Sequence, residues 1–201
     1  MNFFKNVNFL SRLFTYNILE YFHDRAPVST DDIVNNSLNW YGHATVIINI
    51  EDTLIITDPV LGNKIGFFKR VADKPYNAAS LKFDYILLSH GHMDHLDFPS
   101  LMKLNKDAIL IVPKGYNKIM RLLGFRRVVT LRHNKVYDDG NIRISSYEAN
   151  HDGRRYYLGI DNESNSYLIE KSNKKIFFAG DTAYTTNFKD IECDAAIMPV
   201  G

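Results

Sequence analysis

The stretch "ILLSHGHMDHLD" sets three histidines and two aspartates (His90, His92, Asp94, His95, Asp97) into eight positions directly behind an apolar run. His90 and His92 stand two apart on an extended segment, so both side chains can point to one side, as alternate residues of a strand do. Asp94 and His95 follow where the chain turns. Polar groups crowded near a core cost free energy unless they are partnered, and a bound cation would serve all four at once. Neutral imidazole is the commonest biological metal ligand, and carboxylate oxygen joins it readily. Two later residues share the position: His151 ends "ISSYEANH" and Asp181 ends "KIFFAGD", each at the terminus of a predicted strand. Taken singly they are weak, since a histidine there is an ordinary surface residue and an aspartate after glycine an ordinary turn former.

The bulk numbers narrow the field. A chain of 201 residues, 45% hydrophobic and 23% charged, suits one globular domain with a sizeable core. A net charge of +1 gives no electrostatic case for a specific nucleic-acid partner. Cys193 is the single cysteine, which excludes an intrachain disulfide and a cysteine-based zinc site and suits a reducing, cytoplasmic location. Any metal must then be held by histidine and carboxylate, a donor set that serves zinc, iron or manganese. The sequence has no G-x-S-x-G motif. No apolar run reaches the ~18 residues of a membrane-spanning helix.

The elements that must position these groups read as follows. Phe3, Val7, Leu10, Phe14, Ile18 and Tyr21 recur at helical spacing, so residues 1–36 are expected to hold an amphipathic helix and a linker. That helix fits docking on the domain body; the alternative is peripheral membrane contact through residues 1–22. "LNWYGHATVIINIEDTLIITDPV" predicts three strands with a turn at Glu51-Asp52. Residues 61–83 have no clean period and are expected to form a loop. "DYILLS" and "AILIVP" read as strands covered on both faces. A helix is expected just after the histidines, capped by Asp97 or Ser100 with Pro99 in its first turn, and a second over "YNKIMRLLGF", closed by Gly124. Two or three strands follow, then a hairpin turning near Ser172-Asn173. Strands, then βα alternation, then strands again predict a layered α/β protein with a mixed sheet.

"HGHMDH" resembles the H-x-H-x-D-H signature of the metallo-β-lactamase fold, a four-layer αββα sandwich with metals at one edge. "WYGHATVIINIEDTLIITDPV", "HDGRR" and "FFAGDTAY" are similar to the branch containing N-acyl-phosphatidylethanolamine-hydrolysing phospholipases D and related bacterial hydrolases. The resemblance covers residues 37–201, which it makes one hydrolase domain. It implies that His90, His92 and His151 hold one metal, that Asp94 and His95 hold a second, and that Asp181 bridges the two. His43 and Asp58 would sit close behind and orient the ligands. Two divalent ions, zinc first, would supply a metal-bound hydroxide, with Asp94 also holding its proton.

The family pattern continues past "GDT" to a glycine-rich segment and a last metal-ligand histidine, whereas His151 is the last histidine here. The resemblance therefore leaves the second metal short of one histidine and the sandwich without its C-terminal strands and helices. A fragment, a shortened protein or a partner chain supplying the rest are the expectations, with poor activity or homodimerisation as the consequence. The substrate implied is a small molecule or lipid carrying a phosphodiester. A lactonase or other ester hydrolase of the same fold is the alternative, as is a metal-binding protein without turnover.

Overall fold

A computed structural model describes residues 33–65, 68–70, 74, 77–155 and 162–200. The amphipathic helix expected near the N-terminus lies outside these residues. Strands β1 (Ser37–Gly42), β2 (Thr45–Ile50) and β3 (Thr53–Thr57) form an antiparallel meander. Glu51 and Asp52 both take positive φ, 47° and 58°, the backbone that lets a two-residue turn match the twist of its strands. Within the expected loop, β4 (Lys64–Ile65) and β5 (Phe68–Lys69) pair as a small hairpin, and a 3-10 turn spans Ala78–Ser80. Two-residue strands are too short to leave a period in the sequence.

The chain then alternates through β6 (Tyr85–Leu87), α1 (Phe98–Lys103), β7 (Ile109–Val112), α2 (Asn117–Leu122) and β8 (Arg127–Thr130). β3, β6, β7 and β8 pair in parallel, completing a six-stranded sheet in the order β1-β2-β3-β6-β7-β8. Asp97 caps α1, its carboxylate accepting from the Ser100 amide at 3.1 Å, with Pro99 in the first turn. Gly124, at φ +93°, follows the end of α2. The second sheet holds β9 (Val136–Asp138), β10 (Arg143–Glu148), β11 (Asn165–Lys171), β12 (Lys174–Phe178) and β13 (Ala195–Ile197), in the order β13-β12-β11-β10-β9. Only the β12–β13 pair in it is parallel.

Side-chain alternation divides the core. Ile47, Ile56, Ile86, Leu88, Leu110 and Val112 face Leu101 of α1, Met120 of α2 and Phe125. The intervening Val46, Ile48, Ile55, Leu87 and Ile111 face Ile144, Tyr167, Ile169 and Phe178 of the second sheet. A strand apolar at every position is thus accounted for by burial on both faces. On the far side of the second sheet, Leu168, Phe177 and Ala179 are covered by Tyr147, Phe188 and Ile191. Both α-helices among the described residues pack on the first sheet. No helix among the described residues is long and apolar enough to cross a membrane.

Strand directions decide where the site lies. β3 and β6 run parallel, so their C-terminal ends share one edge, and the β1–β2 turn lies at that edge because β2 is antiparallel to β3. In the second sheet β10 and β12 end at the edge where β11 begins. His43, Asp58, His90, His151 and Asp181 follow those five strand ends.

Candidate metal centre

The base of the site is a pair of reciprocal staples. The Thr57 hydroxyl donates to the Ala44 carbonyl at 2.9 Å, and the Thr45 hydroxyl donates to the Asp58 carbonyl at 2.7 Å. Each threonine of "GHAT" and "TDP" thereby fixes the other motif. Both motifs contain a non-glycine residue at positive φ, His43 at 50° and Asp58 at 34°. Left-handed backbone costs roughly 1–2 kcal/mol per residue, and such strain persists only where the surroundings hold it. At the β1–β2 turn Trp40 Nε1 donates to the His43 carbonyl at 2.8 Å and Arg70 Nη1 to the Tyr41 carbonyl at 2.7 Å. A Cβ on Gly42 would stand 2.0 Å from that Arg70 nitrogen, which is why glycine precedes His43.

Asp58 is fully buried and accepts three hydrogen bonds: from the Ser89 amide at 2.7 Å, the Ser89 hydroxyl at 2.5 Å and His95 Nδ1 at 2.7 Å. With its oxygens engaged in this way, it acts as a hub behind the histidines. It settles two tautomers. His95 keeps a proton on Nδ1 for Asp58, so Nε2 is the nitrogen left to face the site. Because the Ser89 hydroxyl donates to Asp58, it must accept from His90 Nδ1 at 2.9 Å, which leaves His90 Nε2 bare. One carboxylate thus aims two imidazoles, an arrangement that typically accompanies metal-ligating histidine.

The ring nitrogens converge. His151 Nε2 stands 3.2 Å from His90 Nε2 and 3.1 Å from His92 Nδ1. In a second group, His95 Nε2 lies 3.3 Å from Asp181 Oδ2 and 3.8 Å from Asp94 Oδ2, and His43 Nε2 lies 3.1 Å from Asp94 Oδ2 and 3.3 Å from His95 Nε2. Ligands at ~2.0–2.1 Å from a tetrahedral ion stand about 3.3–3.4 Å from one another, so both groups fit a divalent cation. The electrostatics favour ligation at the first group, while at the second a cation must displace a proton from His95. Burial and the neighbouring imidazoles hold the His90 pKa far below the ordinary range, so it is neutral and able to ligate. Burial opposes protonation of His95, but the Asp58 and Asp181 carboxylates outweigh it and lift the pKa to about 10. Against burial, the His43 hydrogen bond and the His95 charge hold Asp94 well below the usual carboxylate range. The hydrogen bond from His95 keeps Asp181 low as well.

The second sheet grips the histidine loop. Tyr167 Oη donates to the Leu88 carbonyl at 2.8 Å, the Asn165 amide to the Ser89 carbonyl at 2.9 Å, and the Gly91 amide to the Gly153 carbonyl at 3.2 Å. Tyr116 Oη donates to the same Gly153 carbonyl at 2.6 Å and passes so close to Gly91 that a Cβ there would be 1.8 Å away. Arg155 Nη1 donates to the carbonyls of Gly91 (3.1 Å) and Leu96 (2.8 Å), bracketing the loop, while its guanidinium stacks 4.4 Å above the Phe98 ring.

All eight residues singled out from the sequence meet at this edge: His90, His92 and His151 in one group, Asp94, His95 and His43 in another, Asp181 beside His95, and Asp58 behind. Ser89, Tyr116, Tyr167 and Arg70 had no role assigned from sequence. Ser89 has only its place before His90 as a signal, Arg155 lies in the "HDGRR" motif, and Tyr116, Tyr167 and Arg70 have none.

Comparison with known proteins accords with this geometry. Residues 53–201 match the family model described as beta-lactamase superfamily domain. The chain is 27% identical over 205 residues to "N-acyl-phosphatidylethanolamine-hydrolyzing phospholipase D 1" of Caenorhabditis elegans, covering 87% of this chain and 57% of that one. It is 30% identical over 174 residues to a UPF0173 metal-dependent hydrolase of Enterococcus faecalis, covering 80% and 72% respectively. A solved structure from Parabacteroides distasonis shares the fold at a TM-score of 0.62 and 21% identity, over 82% of this chain and 69% of that one. The chain spans about half the length of the mycobacterial relatives it matches, 48%. By its family match and by the site its strand ends assemble, the chain belongs to the beta-lactamase superfamily and has the metallo-β-lactamase fold, in company with proteins named as metal-dependent hydrolases.

Proposed function

We propose that this chain carries the metal centre of a hydrolase that cleaves a phosphodiester, with N-acyl-phosphatidylethanolamine as the first substrate to test and two divalent ions, zinc first, as cofactors. The observation that carries the reading is the pair of convergent donor groups, with Asp181 3.3 Å from His95. The name of the nematode relative supports the substrate class. Divalent ions at such a site lower the pKa of water toward 7 and neutralise charge developing on a phosphoryl or acyl oxygen. His90, His92 and His151 would hold one ion, Asp94 and His95 the other, with Asp181 shared.

The remaining work falls to the chain's own groups. Asp94, kept ionised, accepts and orients the proton of the attacking water. Asp58 and Ser89 keep His90 and His95 in the tautomers described above. A polar cleft of about 580 Å³ opens beside His151, lined by Glu148, Asn150, Asp152, Thr185 and Asn187, and gives a head group room to enter. Among the described residues no lysine or arginine lines that cleft, and nearby Arg154 is turned onto Asp152 at 2.5 Å. That lining favours, as a second reading, a neutral ester or lactone. A panel of phosphodiester, lactone and β-lactam substrates, run with zinc-, manganese- and iron-loaded protein, tests both. Phosphodiester turnover lost more than about 100-fold in Asp94→Ala is the expected result. Lactone turnover alone would move the assignment to the second reading, and metal binding with no turnover would leave a binding protein.

A further inference from the structure

We propose that His43 is itself a metal ligand, the histidine that joins Asp94 and His95 at the second metal position. The proposal rests on the two-ion reading above and extends it to a residue that the resemblance places behind the ligands. His43 Nε2 lies 3.1 Å from Asp94 Oδ2 and 3.3 Å from His95 Nε2, and the three atoms form one compact donor group. Those two separations match the edge lengths of a tetrahedral site (~3.3–3.4 Å) to within a few tenths of an ångström, and the third, His95 Nε2 to Asp94 Oδ2, is longer at 3.8 Å. Asp181 Oδ2 lies 3.3 Å from the same His95 nitrogen, on the border of this three-donor group.

Preorganisation points the same way. A residue that only donates to an exposed carboxylate needs no fixed backbone, yet the His43 turn is pinned at three of four successive carbonyls: Tyr41 by Arg70, His43 by Trp40 and Ala44 by Thr57. His43 itself is held at φ 50° and leaves its ring half-exposed, 46%, on the open side of the site, where an ion would arrive. The buried side is closed by His95 and Asp58, both at 0%. His43 therefore completes the group from the solvent face.

The competing role is a hydrogen bond from His43 Nε2–H to Asp94. The two differ in where the ring carries its proton, so the first test is the imidazole tautomer by nitrogen NMR in the zinc-loaded chain, with His43→Gln giving the assignment. A proton on Nδ1 is expected, because Nε2 is then occupied by zinc; a proton on Nε2 overturns the proposal. The second test counts zinc equivalents and their affinities by titrating metal-free chain. Wild type is expected to take two, and His43→Gln to keep the first while losing the second by more than about 100-fold, beyond the 10–100-fold typical of an outer partner. Two equivalents in His43→Gln at unchanged affinity overturn the proposal alone. Fewer than two in wild type overturn it together with the two-ion reading. If the variant fails to fold, the wild-type tautomer decides.

Discussion

Replacing Asp58 by asparagine tests the logic of the whole site with one atom. Asp58 accepts from the Ser89 amide, the Ser89 hydroxyl and His95 Nδ1, all between 2.5 and 2.7 Å. Asparagine keeps one acceptor oxygen, which can retain the Ser89 amide. Its NH₂ then faces the Ser89 hydroxyl and His95 Nδ1, both of which were donors. His95 can answer by moving its proton to Nε2, which puts an N–H where a metal must sit. A charge-assisted hydrogen bond of this kind is worth about 1.5–3 kcal/mol, and altering the partner behind a ligating histidine costs about 10–100-fold in metal affinity. His90 loses less, because its link to Asp58 runs through the Ser89 hydroxyl. Chelator-competition titrations of zinc should therefore show the His95 equivalent weakened about 10–100-fold and the His90/His92/His151 equivalent weakened less. Without metal, the variant also loses a fully buried ion pair, a cost of about 3–5 kcal/mol. At about 2–4 °C per kcal/mol for a chain of this size, the Tm should fall by about 6–20 °C. Both zinc affinities within twofold of wild type, with a native circular dichroism spectrum, would refute the argument that Asp58 aims these imidazoles.

Stripping metal with a chelator should lower the Tm, since an ion at 100 times its Kd stabilises the folded state by about 2.7 kcal/mol; a melt unchanged by chelation would contradict metal binding in the folded chain. Gly91→Ala places a methyl 1.8 Å from Tyr116 Oη, and overpacking of about 1–3 kcal/mol should appear in chemical denaturation. Tyr116→Phe should not rescue it, because ring carbons Cζ and Cε1 also lie within 2.8 Å of that position. Arg155→Met keeps an apolar contact with Phe98 but removes the donors to the Gly91 and Leu96 carbonyls. It should destabilise by about 1–3 kcal/mol and weaken zinc binding, measured by denaturation and competition titration.

The sequence was most legible where the physics is local. Short, nearly continuous apolar runs placed β2, β3, β6 and β7, and Glu51-Asp52 and Ser172-Asn173 marked turns whose residues all sit at positive φ. Asp97 and Pro99 announced α1. Residues 61–83 were illegible because two-residue strands carry no period. The histidine cluster was visible because four of its donors fall within six positions, His90 to His95.

By itself, then, the sequence determined which residue types could bind a cation and which segments would be strands. The contacts among distant donors were decided by tertiary structure alone: His43 lies 52 positions from His95, and His151 lies 61 from His90. Strand order and direction bring five strand ends to one edge, and that edge is set by packing of both sheets, which no single segment encodes. The hydroxyl relay from His90 through Ser89 to Asp58 was decided there too, because a tautomer is fixed by the partner a nitrogen meets in space.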